Sequence, residues 1–142
     1  MITFLNENQK PNTTTDDIIC YKWLYLLDNI PISPNRLFCF QKGKTYMTFL
    51  YTTEYKHGDK TLNMIKYGFH AYKTKEYALA DLSNRKKISY IQKLKLFKCV
   101  IPAGSNYYDG KTTENGEQTV LVSNKIVILE QMSDELLKLK VS

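Results

Sequence analysis

Ile18-Ile19-Cys20-Tyr21-Lys22-Trp23-Leu24-Tyr25-Leu26-Leu27 is the stretch on which the fold turns. It holds one charged residue, Lys22, and is apolar on all sides. Its aromatic and β-branched residues favour a buried strand, with a short helix as the alternative. Asp28-Asn29-Ile30-Pro31 then supplies the turn chemistry that stops it.

On its N-terminal side, residues 1–17 read as a polar arm, with Glu7 to Thr15 almost free of apolar residues. Residues 18–142 read as a single domain, since 142 residues suit one hydrophobic core. Beyond the Pro31 and Pro34 loop, Leu37-Phe38-Cys39-Phe40 and the run Thr45 to Tyr55 predict a hairpin around Gln41-Lys42-Gly43-Lys44. His57-Gly58-Asp59-Lys60 predicts another turn, and Leu62 to Tyr67 a short strand closed by Gly68.

Thr74 is placed to cap a helix through Leu82, with Glu76 in the first turn, where the helix dipole favours an acid. Ile88 to Ile101 reads as β structure stopped by Pro102-Ala103-Gly104, and Ser105 to Thr119 as a long exposed loop. Val120 to Leu129 is a strand with a bend at Ser123-Asn124, and Ser133 caps a C-terminal helix through Lys140. The sum is an α+β fold, mostly antiparallel, of about six strands and two short helices.

Composition removes several classes. No run approaches the roughly 20 apolar residues of a membrane-spanning helix, and the N-terminus lacks the basic start and apolar core of a signal peptide. Eleven Tyr, six Phe and one Trp are too much aromatic surface for a disordered chain. Cys20, Cys39 and Cys99 form no CxxC pair, and only His57 and His70 accompany them, so no zinc site is indicated. Each lies beside large apolar residues and reads as a buried free thiol in a reducing cytoplasm.

The net charge of +6 is concentrated in residues 56–99, where ten Lys and Arg85 outweigh Asp59, Glu76 and Asp81. A cationic face suits acidic or phosphate-bearing partners, and a solvated lysine surface is the alternative. Within it, Arg85, Lys86, Lys87, Lys93 and Lys95 are interleaved with Tyr90, Ile91 and Phe97. That mixture can track a single-stranded nucleic-acid backbone and stack its bases. The alternative is the solvated face of an edge strand, where lysine deters aggregation. With 18 Lys and two Arg, the chain lacks the guanidinium forks preferred for reading base sequence.

The segment with most chemical character is Gly68-Phe69-His70-Ala71-Tyr72. Gly68 permits a sharp entry to a strand, and His70 and Tyr72 fall on one face of it. An imidazole beside a phenol can stack on a planar ring and hydrogen-bond a ribose. A core histidine satisfied by backbone is the alternative. GxxxxGK[ST], GxSxG and HExxH motifs are absent.

Several short motifs together resemble a family of small bacteriophage proteins. They are Tyr21-Lys22, Gly43-Lys44-Thr45-Tyr46, Gly68-Phe69-His70, Lys98-Cys99-Val100-Ile101-Pro102-Ala103-Gly104-Ser105 and Val122-Ser123-Asn124-Lys125-Ile126-Val127. The resemblance runs over residues 18–129 and implies an accessory role in host takeover or anti-defence. More distantly the chain resembles the ADP-ribosyltransferase fold, which implies NAD as cofactor. His70 then stands at the nicotinamide-stacking step and Asn124 near the place of the catalytic Glu, with Glu114 and Glu117 close in sequence but in a loop.

The reading that follows is a cytoplasmic binding protein. Its expected target is a host or defence protein, or a nucleotide-like ligand held by Tyr21, Lys22, Gly68, His70 and Tyr72. An NAD-dependent transferase and a nonspecific nucleic-acid binder are the alternatives.

Overall fold

A computed structural model of the chain describes residues 3–5, 9–33, 38–83, 94–112 and 119–133. The strands in chain order are β1 (Thr3–Leu5), β2 (Asn12–Thr13), β3 (Ile18–Leu27), β4 (Ile30–Ile32), β5 (Thr45–Met47), β6 (Tyr51–His57), β7 (Lys60–Tyr67) and β8 (Phe69–Tyr72). Helix α1 (Lys75–Ser83) follows, then β9 (Leu94–Ile101), β10 (Asn106–Lys111), β11 (Thr119–Ser123) and β12 (Lys125–Gln131).

Twelve strands and one short helix among the described residues correct the expected α+β class: this is a mostly antiparallel β fold. The undercount has two sources. Short polar strands carry no alternation, and β10 lies in a stretch whose Gly, Asn and Asp content reads as loop. Gly110 is nonetheless a strand residue. A Cβ there would stand 2.4 Å from Thr3 Cγ2 and 2.8 Å from the Phe4 carbonyl oxygen, so only glycine lets β1 cross so closely. The expected C-terminal helix lies outside the described residues.

The expected hairpin between Leu37–Phe40 and Thr45–Tyr55 is also corrected. β5 pairs with β12, Cys39 only bridges Ile32, and Phe40 turns into the core. Thr45 to Tyr55 divides into β5 and β6, and the hairpin that forms is β6–β7 around Gly58, with His57 opposite Lys60. Asp28 and Asn29 both adopt positive φ (50° and 65°) in the two-residue turn between β3 and β4. That is the conformation these residue types tolerate best in a tight hairpin.

The strands pair in the order β5-β12-β9-β3-β8-β11-β10-β1-β7-β6, with β2 beside β10 and β4 beside β3. β3 and β9 share the longest central ladder, from Ile18 opposite Ile101 to Tyr25 opposite Leu94. The chain from β11 to β12 bends at Asn124, as the sequence indicates, and its two halves pair with β8 and β9 respectively. Because β3 in turn pairs with both β8 and β9, these segments form a ring of pairings: β3, β9, the bent β11–β12 strand and β8.

Period-two alternation then sorts the side chains. Cys20, Leu24, Ala71, Phe97, Cys99, Ile101, Leu121, Ile126 and Ile128 pack together from all four segments of the ring and form its interior, joined by Phe40. Tyr21, Trp23, Tyr72, Leu96, Val120 and Val122 occupy the outer face and meet Ala78 and Tyr77 of α1 and Ile65 and Tyr108 of the outer strands. Helix α1 is anchored at its start by Thr74, whose Oγ1 accepts the Tyr77 N–H at 3.1 Å. Trp23 Nε1 fixes it to the sheet by donating to the Ala78 carbonyl at 2.9 Å.

Candidate functional site

β3 crosses β8 with Tyr21 opposite Tyr72, and this crossing brings Tyr21, Lys22, Gly68, His70 and Tyr72 into one neighbourhood. The approach needs Gly68. Its φ is 151°, and a Cβ there would lie 2.4 Å from Val122 Cγ1 and 2.9 Å from Leu50 Cδ2. Directly after it, His70 Nδ1 lies 3.2 Å from the Gly68 carbonyl oxygen, which holds the imidazole against its own strand.

His70 and Tyr72 do share a face, being opposite Val122 and Val120 of β11. Their surroundings differ. Tyr72 is 1% exposed, and its hydroxyl donates to Asp81 of α1. Its ring is therefore covered by the helix, while His70 stays half-buried. Tyr21 is half-buried on the same outer face. Burial, then the carboxylate of Glu76, raises its phenol pKa above the ordinary value of 10.0.

Lys22 faces the other way. It alternates with Cys20 and Leu24 on the ring-interior side of β3, and its Nζ donates to the His70 carbonyl oxygen. Burial lowers its pKa from 10.5, although Cys99 and Cys20 act in the opposite sense. Cys20 and Cys99 are opposite each other in the β3–β9 ladder and fully buried. Burial raises both thiols: Cys20 well above 9.0, and Cys99 up to about 12. The two are protonated at neutral pH. Cys20-x-Lys22 could be read as one face from period two alone, but its pairing with Cys99 depends on register.

Cys39 departs from the buried-thiol expectation and is exposed. It lies beside a cluster missed in the sequence. Phe38, Phe40 and Tyr46 meet edge to face with ring centroids 4.9–5.4 Å apart, and Lys44 Nζ sits 5.3 Å from the centre of the Tyr46 ring. Next to it is an open hollow of about 560 Å³ lined by Pro31, Cys39, Phe40, Lys42 and Tyr46 among others. Phe38-Cys39-Phe40 was the available signal.

Of the basic cluster, Arg85, Lys86, Lys87 and Lys93 lie outside the described residues, as do Glu114 and Glu117. Lys95 is half-buried on β9, which is flanked by β3 and β12 and so is no edge strand. Among the described residues, cationic character in the middle third falls on the β6–β7 hairpin, at Lys56, Lys60 and Lys66, on the β8–α1 junction, at Lys73 and Lys75, and on β9, at Lys95 and Lys98. Lys73 lies 3.7 Å from Asp109.

Beside that hairpin runs the most exposed apolar segment among the described residues. Met47 is 70% and Phe49 84% exposed, and Tyr51, Tyr55 and Tyr67 are exposed as well. Alternation explains the pattern: Met47, Phe49 and Tyr51 point outward, while Leu50 turns in beneath Gly68. Tyr51 and Tyr67 face one another at 6.0 Å, with Lys66 Nζ 5.6 Å from the Tyr67 ring.

Among the described residues no group of three His, Cys, Asp or Glu stands close enough to hold a metal ion, and no helix is long and apolar enough to cross a membrane. Comparison with protein-family models, with curated proteins and with solved structures finds no match.

Proposed function

We propose that the chain is a binding protein of the accessory kind implied by the bacteriophage resemblance, and that its target is an acidic face of a host or defence protein. The observation that carries this reading is the exposed segment Met47, Phe49 and Tyr51, continued by Tyr55 and Tyr67. Large side chains in open solvent on one continuous stretch are what protein interfaces use, and aromatic residues dominate their energetics. Lys56, Lys60 and Lys66 border the segment and select a partner of negative charge.

The β3–β8 crossing supports the transferase alternative less well. Stacking a nicotinamide between His70 and Tyr72 needs an open Tyr72 ring, whereas α1 covers it and Asp81 holds its hydroxyl.

The test compares wild type with the Phe49→Ser/Tyr51→Ser double variant in crosslinked pull-downs from host lysate, scored by quantitative mass spectrometry. A partner captured by wild type and lost by the folded variant supports the reading. Equal capture by both refutes the assignment to this surface. Nicotinamide release from NAD by the purified protein would replace a pure binding role with catalysis.

A further inference from the structure

The ring interior contains a pair of thiols that the binding surface does not use. Cys20 and Cys99 are register partners in an antiparallel ladder, share its inner face, and are both 0% exposed. Opposed Cα atoms in such a ladder lie about 4.5–5.5 Å apart. A disulfide spans about 4.4–6.8 Å between Cα atoms, so register partners of this kind fall within its Cα range. Both thiols are free here.

Lys22 adds the second observation. It stands on the same face two positions from Cys20, and its ammonium is anchored at the His70 carbonyl. The inner-face positions of the described ring strands hold no carboxylate that would compete for it. Burial raises both thiols and the Lys22 ammonium lowers them by less, so the thiolate, the form of cysteine that attacks peroxides and disulfides, forms here as pH rises.

We propose that Cys20 and Cys99 form a redox-modification site at which a peroxide converts the two thiols to an intramolecular disulfide joining β3 to β9. One sulfur attacks the peroxide oxygen: the O–O bond breaks, a sulfenic acid forms and the first water leaves. The second thiol then attacks that sulfur. The S–S bond forms, the S–O bond breaks and a second water departs. Two electrons and two hydrogens have passed from the thiols to the peroxide. Cys39, exposed and outside the ring, takes no part.

The experiment uses the Cys39→Ser protein, titrated with hydrogen peroxide and examined by intact mass, peptide mapping and thermal unfolding. The expected product is lighter by two hydrogens, yields a peptide joining Cys20 to Cys99, and reverts with dithiothreitol. Because the bridge closes most of the chain into one loop, its Tm should rise by about 5–10 °C. In a Cys39→Ser/Cys99→Ala protein, peroxide should give an oxygen adduct at Cys20 and no loss of hydrogen. The proposal is overturned if both thiols of the Cys39→Ser protein still alkylate after peroxide and denaturation. It is equally overturned if they carry oxygen adducts and no bridge. Both outcomes are read on a single protein that keeps both core thiols, so neither depends on the Cys99→Ala variant folding.

Discussion

Raising the pH should weaken the fold through the ring interior before it affects most of the surface. Burial holds the Cys99 thiol protonated up to about 12, against 9.0 for an exposed cysteine. Between those values the native chain binds more protons than the unfolded one, so stability falls as pH rises. Each unit is worth about 1.4 kcal/mol, and Cys99 alone costs about 2 kcal/mol between pH 9.0 and about 10.5. Cys20 acts in the same direction. Lys22 opposes them: its lowered pKa makes the unfolded chain the better proton binder below 10.5, so its contribution rises with pH and then levels. Two thiols against one lysine leave a net loss. The assay is urea unfolding followed by the single tryptophan, Trp23, at several pH values from about 8 to 10.5, in wild type and Cys99→Ala. The variant should start less stable and decline more gently. Parallel declines in the two proteins would refute the assignment of the alkaline loss to a buried thiol.

Three further outcomes follow from the packing. Gly68→Ala forces a methyl into Val122 and Leu50 and should cost about 1–3 kcal/mol or more in urea unfolding, whereas Gly43→Ala meets nothing within 4 Å and should lose only the smaller cost of its positive φ. Thr74→Ala removes the acceptor for the Tyr77 N–H and should destabilise by about 1 kcal/mol, with Thr74→Ser restoring most of it in thermal denaturation. Phe97→Ala empties the middle of the ring, where Phe97 is fully buried, and should cost about 3–5 kcal/mol by equilibrium unfolding.

Local chemistry was readable from the chain and long-range pairing was not. The Asp28-Asn29 turn, the Thr74 cap and the Ser123-Asn124 bend are decided by neighbours in sequence, and each stands where its residue types place it. β2 and β10 escaped because Asn12-Thr13 and Asn106 to Lys111 owe their extended form to partners, not to any alternation of their own. β5 pairs elsewhere than the sequence predicts for the same reason: Gly43 makes the turn, but β12 sets the fully buried Ile126 opposite Tyr46.

At the crossing, Tyr21, Lys22, Gly68, His70 and Tyr72 do converge, yet nothing local reveals that Asp81 takes the Tyr72 hydroxyl. The opposition of Cys20 and Cys99 is a property of register between strands far apart in the chain. It follows only once β3 and β9 are known to be neighbours.

The bent β11–β12 strand also sets a timetable for synthesis. β9 can pair with β3 as soon as it is made, but its other edge waits for β12, which is complete roughly 30 residues later. At 5–20 residues per second that is an interval of about 2–6 s. Throughout it, a nascent chain carries Leu96, Phe97 and Cys99 on a half-paired strand with an open hydrogen-bonding edge. Slowing translation between the codons for Ile101 and Gln131 would lengthen that exposure and favour capture by chaperones or by other nascent chains. Among the described strands, the last to leave the ribosome is the one that closes the open edge of β9.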